Sequence, residues 1–229
     1  MRYSLAFFLF AVACVILATR EGGSAWLLLW PASSFLIVAC AYAFAGPRLL
    51  GKRADGTIAP LNAVLLLPYF LFTWATWHVQ RLLSLELCHN EVAAGLWIGR
   101  RAYDGELPPE TNCVVDLTSE FFEPRAVRTK HTYICLPTLD ARATDAGELR
   151  GLVERLAPMR ESIYIHCAQG HGRSAALAAA VLLRRGLAGS VDEAERMIRA
   201  ARPAIRLSRR QRHSLAAFVT ARVPRETKT

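Results

Sequence analysis

Residues 162–186 read Ser-Ile-Tyr-Ile-His-Cys-Ala-Gln-Gly-His-Gly-Arg-Ser-Ala-Ala-Leu-Ala-Ala-Ala-Val-Leu-Leu-Arg-Arg-Gly, and the rest of the chain is arranged around them. Ile163 to His166 is a short apolar run that predicts a buried strand. Ser174 to Arg185, rich in Ala and Leu and closed by Gly186, predicts a helix. Between them lies an eight-residue turn, Cys167 to Ser174. A loop that leaves a strand and enters a helix aims backbone NH groups and the positive end of the helix dipole at one point, which suits an anion. Gly170 and Gly172 are expected to let the backbone curl around that anion.

The side chains supply the chemistry. Amides and helix dipole at the mouth of the cradle favour the thiolate of Cys167, a competent nucleophile. Arg173, at the helix start, offers a planar fork matching two phosphoryl oxygens, which lysine cannot do bidentately. Ser174 places a hydroxyl near the sulfur, able to stabilise it and to ease its departure from a phosphocysteine. His166 is expected to orient the loop through hydrogen bonds rather than attack. The phosphate oxygens would meet the loop from Ala168, Gln169, Gly170, His171 and Gly172 to Arg173.

His-Cys, five residues, then Arg-Ser after a strand resembles the signature of the cysteine-dependent protein tyrosine phosphatases, and the short domain around it resembles their dual-specificity branch. The resemblance covers roughly Leu85 to Phe218. The bare Cys-x5-Arg spacing also occurs in rhodanese-like sulfurtransferases; His166, the two glycines, Ser174 and the strand-loop-helix context favour the phosphatase.

Hydrolysis through a thiolate also needs an acid for the leaving oxygen and then a base for water, and one carboxyl group can serve both steps. The resemblance puts that aspartate on a loop after the strand upstream of the nucleophile. Leu136-Pro137-Thr138-Leu139-Asp140 occupies that place, which implies Asp140. Asp145, five residues on, is the rival and is better explained as a helix cap. Asp116 and Glu120 read as structural. Arg202-Pro203-Ala204-Ile205-Arg206 resembles a segment that packs near the phosphate loop in dual-specificity enzymes, with Arg202 read as a helix-end and core-rim residue rather than a phosphate ligand.

From Leu85 onward strands and helices alternate. Leu96 to Gly99, Cys113 to Leu117, Tyr133 to Leu136 and Ile163 to His166 read as strands. Asp145 to Leu156 and Val191 to Ala201 read as helices, introduced by the capping-box pairs Asp145/Glu148 and Ser190/Glu193. A last helix is expected from Arg209 to Arg222. The fold class is therefore α/β: a phosphatase-like domain, residues 81–229, with a central, mainly parallel sheet flanked by helices. An all-α N-terminal membrane region, residues 1–80, precedes it.

That front region holds three apolar runs: Tyr3 to Thr19, Ala25 to Ala45 and Leu61 to Val79. At least two are long enough for membrane helices; a cleaved signal peptide is the competing reading for the first. The third contains Pro68 and, towards its end, Tyr69, Trp74, Trp77 and His78, a composition also suited to the interface. Arg48, Lys52 and Arg53 make the loop before it the most basic short loop, which should face the cytoplasm and favours a cytoplasmic catalytic domain.

The chain has a net charge of +9, carried mostly by arginine, a bias expected of a GC-rich bacterial genome; the apolar runs lead to the expectation of a multi-pass protein of the bacterial inner membrane. The arginines from Arg184 to Thr229 could face anionic lipid headgroups or simply be solvated. Nucleic acid is not expected, since no reading motif accompanies the charge. The six cysteines show no metal-ligand spacing, so neither a zinc site nor any cofactor is expected. Cys14 and Cys40 read as small hydrophobes, and Cys113 and Cys135 as core.

These readings converge on a membrane-anchored phosphatase acting through a phosphocysteine. The resemblance implies phosphotyrosine and phosphoserine or phosphothreonine proteins as substrates, while the anchor makes a phospholipid monoester the alternative. The absence of lysine at Ala168, Gln169 and His171 argues against multiply phosphorylated inositides, though not against a singly phosphorylated lipid such as a phosphatidylglycerophosphate. An inactive phosphate-binding adaptor is the remaining alternative, and it would have no need of Cys167, Arg173 and Asp140 together.

Overall fold

In the computed structural model, which describes residues 2–142 and 144–220, every apolar run at the front of the chain becomes helix. Two compact units form. One takes the chain through Leu85 together with Thr118–Glu123; the other takes Glu86–Leu117 and the chain from Pro124 onward.

The first unit starts with α1 (Arg2–Glu21), turns at Gly22 and Gly23, both with positive φ, and continues through a 3-10 turn into α2 (Leu29–Cys40) and a π-helical turn at Ala41–Ala45. Arg2–Glu21 and Gly23–Ala45 are each long and apolar enough to cross a membrane. Their facing sides lock through rings: Tyr3 stacks on Tyr42 at 5.4 Å and Phe7 on Phe35 at 6.1 Å. Their other sides leave Leu5, Leu9, Leu17 and Leu27 exposed, a pattern that costs free energy in water and none in lipid.

The third apolar run is not one continuous helix. It breaks at Leu66 into α3 (Pro60–Leu65) and α4 (Leu67–Leu83). Pro68 has no amide hydrogen for the carbonyl of Val64 four residues back, and its ring would clash there. That carbonyl accepts from Trp30 Nε1 instead, at 3.2 Å. Two tryptophans of this run have partners within the unit. Trp74 Nε1 donates to Glu120 O at 2.9 Å, and buried Trp77 packs on Phe121 with centroids 5.6 Å apart. Lys52, one of the three basic residues of the loop before this run, is buried and donates to Thr118 Oγ1 at 3.2 Å and to Phe121 O.

The second unit is built on a five-stranded mixed sheet, β1 (His89–Ala93), β2 (Leu96–Arg100), β3 (Thr111–Thr118), β4 (Thr132–Thr138) and β5 (Ser162–Cys167), in the order β1-β2-β5-β3-β4. β5 lies parallel to both β2 and β3, while β1 is antiparallel to β2. Around it come α5 (Arg125–Lys130), α6 (Ala146–Leu156), α7 (Arg173–Arg185), α8 (Val191–Ala201) and α9 (Arg209–Thr220). The two last residues of the expected final helix, Ala221 and Arg222, lie outside the described residues. β1 and α5 are additions to the elements expected from sequence; β4 continues past Leu136 through Pro137 to Thr138.

Strand alternation sorts the core. Ile163, Ile165 and Cys167 of β5 join the cluster with Leu152, Val153, Leu177, Ala178 and Ile198 from the helices, whereas Tyr164 joins Val114 and Val127 in a second cluster. Each buried Ile or Leu contributes about 1.5–3 kcal/mol relative to exposure. Ala175, Ala178, Ala179 and Ala180 have no exposed surface, and their small side chains let α7 lie close on the sheet. Cys113 is buried as expected, but Cys135 is only half-buried, because its neighbours Ile134 and Leu136 take the core-facing positions of β4.

Both expected capping pairs keep their forward half. Asp145 accepts from the amides of Gly147 and Glu148, and Ser190 from that of Glu193. The Glu193 carboxylate turns to the Gly189 amide, at 2.7 Å, rather than to Ser190. Several arginines of the late basic stretch have partners inside the unit. Arg184 pairs with Glu154 at 2.7 Å, Arg212 with Asp192 at 2.7 Å, and Arg185 reaches the carbonyls of Leu156, Ala157 and Met159.

Candidate active site

The loop after β5 leaves the carboxyl end of the central strand, flanked by β2 and β3, the place where parallel sheets open a crevice. Cys167 closes the strand and α7 begins at Arg173. The sulfur is almost fully buried and receives the Gly170 amide at 3.2 Å; Ser174 Oγ lies 3.6 Å away. An amide and a hydroxyl at these distances solvate a thiolate.

Gly170 is the glycine the turn demands. Its φ is +77°, and a Cβ there would lie 2.3 Å from Gly99 C and 2.6 Å from Arg100 N. The loop therefore sits directly on the backbone of β2. Gly99 is under the same constraint, since a Cβ on it would come within 2.2 Å of Cys88 O and 2.5 Å of the Tyr164 hydroxyl. Gly172 differs from expectation: its φ is −83°, and a Cβ would meet no backbone, the nearest atom being Gln211 Nε2 at 3.3 Å.

Arg173 is buried, and its Nη1 donates to Thr138 O at 2.8 Å and Leu117 O at 3.2 Å. Those carbonyls, at the ends of β4 and β3, fix the guanidinium plane. Its Nε lies 3.6 Å from Asp140 Oδ1. Asp140 follows buried Leu139 and is itself about half exposed (53%); the next residue, Ala141, has a left-handed φ of 55° that turns the chain back. Asp145 is engaged elsewhere, at the start of α6. The structure thus brings Cys167, Arg173, Ser174 and Asp140 together and leaves Asp145 as a cap.

His166 points to the other face of the sheet from Cys167. Its ring stacks on Tyr164 at 5.7 Å, and Nε2 lies 3.9 Å from Asp116 Oδ1. Asp116 in turn accepts from the Tyr133 hydroxyl at 2.7 Å, and Glu120 accepts from the Ser119 amide. Burial pushes the Tyr164 hydroxyl well above its usual range, which keeps it a neutral donor to Arg100 O beneath the loop. His89, by contrast, is pushed down by burial and by nearby Arg100 and Arg202. His171, in the loop, meets Glu86 Oε2 at 2.7 Å.

Residues 111–221 match the sequence family described as dual specificity phosphatase, catalytic domain. Those residues form a dual-specificity phosphatase-type domain. Solved structures of the same phosphatase fold include PTPMT1 in complex with PI(5)P, with 19% identity, a TM-score of 0.52, and coverage of 59% of this chain and 98% of that one. Human DUSP28 gives 20% identity, a TM-score of 0.50, and coverage of 60% and 96%. Tk-PTP in its active form gives 23% identity, a TM-score of 0.51, and coverage of 59% and 98%. No curated protein matches the chain. The phosphatase assignment places this domain among the phosphoric monoester hydrolases. Two supports of the phosphatase loop escaped the sequence reading. Gly99 carried a weak signal, a glycine inside a strand pattern; Glu86 carried none.

Proposed function

We propose that the protein is a membrane-anchored phosphatase that hydrolyses phosphomonoesters through a phosphocysteine on Cys167. The observation carrying this reading is the Cys167 sulfur held by the Gly170 amide and Ser174 hydroxyl, with Arg173 at the end of the same loop meeting Asp140 from the loop after β4. In the first step the sulfur lone pair forms the S–P bond as the ester P–O bond breaks, and Asp140 gives its proton to the leaving oxygen. In the second, Asp140 takes a proton from water as the water oxygen attacks phosphorus and the sulfur leaves as thiolate. Arg173 and the amides from Ala168 to Gly172 hold the equatorial oxygens, where charge is spread in the transition state.

Residues 1–80 serve as the membrane region and residues 81–229 as the catalytic region. α1 and the Gly23–Ala45 helix form a hairpin across the bilayer. The basic loop between α2 and α3 hydrogen-bonds the Thr118–Glu123 segment, with Lys52 donating to Phe121 O and the Glu123 amide donating to Gly56 O at 3.0 Å. Arg48 and Arg53 in that loop support a cytoplasmic side for it, and with it a cytoplasmic catalytic region.

The dual-specificity assignment favours phosphotyrosine and phosphoserine or phosphothreonine in proteins. A singly phosphorylated lipid is the second reading, favoured by the exposed apolar faces of α1 and α2. One experiment separates them: full-length protein in vesicles is given phosphopeptides or a lipid phosphomonoester, with Cys167→Ser as control. A large preference for peptides supports the first reading and a large preference for the lipid the second. Activity surviving in Cys167→Ser refutes both.

A further inference from the structure

An amide cradle holds an anion only if the carbonyls of the same peptides are turned outward and given partners. Two such carbonyls are engaged here. Ala168 O accepts from the Arg101 amide at 3.2 Å, and Gln169 O accepts from Arg202 Nη2 at 3.1 Å. The second contact bears directly on the sulfur. Gln169 O and the Gly170 N–H are opposite ends of one planar trans peptide, and that N–H donates to Cys167 Sγ. Holding the oxygen outward holds the hydrogen inward.

Arg202 is well placed for this task. It is 2% exposed, and its Nη1 donates to Leu87 O at 2.9 Å and Asn90 Oδ1 at 2.8 Å. Its Nη2 donates to Glu86 Oε2 at 2.8 Å as well as to Gln169 O. The same Glu86 oxygen meets His171 Nε2. One carboxylate therefore joins the arginine that holds the 169–170 peptide to the side chain on the far side of Gly170.

We propose that Arg202 and Glu86 are positioning residues of the phosphate loop, fixing the 169–170 peptide so that its N–H faces the Cys167 sulfur and the incoming phosphoryl group. The role rests on the phosphatase reading for its catalytic consequence. Its geometric core, a peptide kept from turning over, stands without it. A lysine at 202 could not satisfy both sets of acceptors, because its ammonium lacks the two-edged fork.

The test compares full-length wild type, Arg202→Lys and Glu86→Gln. The readouts are the rate of iodoacetamide labelling at Cys167 at neutral pH, followed by mass spectrometry of its peptide, vanadate inhibition, and thermal melting. Arg202→Lys should slow labelling and weaken vanadate about tenfold, the worth of one hydrogen bond to a charged group. Glu86→Gln, at a half-exposed site that tolerates change, should shift both in the same direction by a few-fold. Folded variants with wild-type labelling and vanadate affinity would overturn the proposal, as would losses that simply track melting temperature. If wild type neither binds vanadate nor hydrolyses p-nitrophenyl phosphate, the phosphatase reading fails, while the labelling rates still decide the positioning role.

Discussion

Replacing Gly170 with alanine tests the seat of the phosphate loop. The new methyl would enter a backbone at φ +77°, where a side chain costs roughly 1–2 kcal/mol. It would also lie 2.3 Å from Gly99 C and 2.6 Å from Arg100 N, strand backbone that cannot swing aside as a side-chain tip could. Overpacking of that kind adds about 1–3 kcal/mol, for a total of roughly 2–5 kcal/mol against a typical domain stability of about 5–15 kcal/mol. At about 2–4 °C per kcal/mol, the melting temperature should fall by roughly 4–20 °C. Any relief must lift the loop from β2 and take the Gly170 amide away from the Cys167 sulfur, so hydrolysis of p-nitrophenyl phosphate should drop at least tenfold, roughly one charge-assisted hydrogen bond. Gly172→Ala is the control. Its φ is −83° and its nearest neighbour is the movable amide of Gln211, so its stability should change by less than about 1 kcal/mol. A Gly170→Ala protein that melts and turns over like wild type would refute the reasoning.

Asp140→Asn should lower kcat by roughly 10²–10⁴-fold, more for alkyl than for aryl esters; Asp145→Ala should cost about 1 kcal/mol of stability and leave kcat alone, and the reverse pattern in the two kinetic assays would exchange their roles. His89 is held below its usual value, so the folded state takes up its proton less readily than the unfolded chain. Stability is then fully present above the unfolded value of 6.5 and is lost as pH falls below it, a loss that thermal melts across this range should show and that His89→Gln should flatten. Burial pushes the Cys113 thiol up to about 11; it should resist a thiol reagent at pH 8, where peptide mapping should find it labelled only after denaturant is added.

The loop, β5 and α7 were legible because their signals are local: an apolar strand, the Cys-to-Arg spacing, an Ala-rich helix and a terminal glycine. Asp140 was legible only through the family resemblance, and its approach to Arg173 is a contact that no local pattern encodes. β1 was missed because His89-Asn90-Glu91-Val92-Ala93 shows neither alternation nor an apolar run, and Val92 alone among these residues is buried. It is a strand because it pairs with β2, not because of its own composition. The partners of Lys52 and Trp74 were hidden for a related reason: both lie in Thr118–Glu123, distant in sequence, and no local pattern points to them. Arg202 stands at the end of α8 as expected, and the resemblance put its segment near the phosphate loop; the particular bond to Gln169 O, 33 positions away, is a contact that no local pattern encodes.

The central claim is that phosphorus passes through the sulfur of Cys167. Rapid acid quenching of full-length protein during turnover of a phosphomonoester, followed by mass spectrometry, tests it directly. The account predicts one phosphoryl group on the peptide bearing Cys167, accumulating further in Asp140→Asn with an activated ester and absent from Cys167→Ser. Undiminished turnover by Cys167→Ser, or a phosphoryl group carried on any other residue, would contradict it.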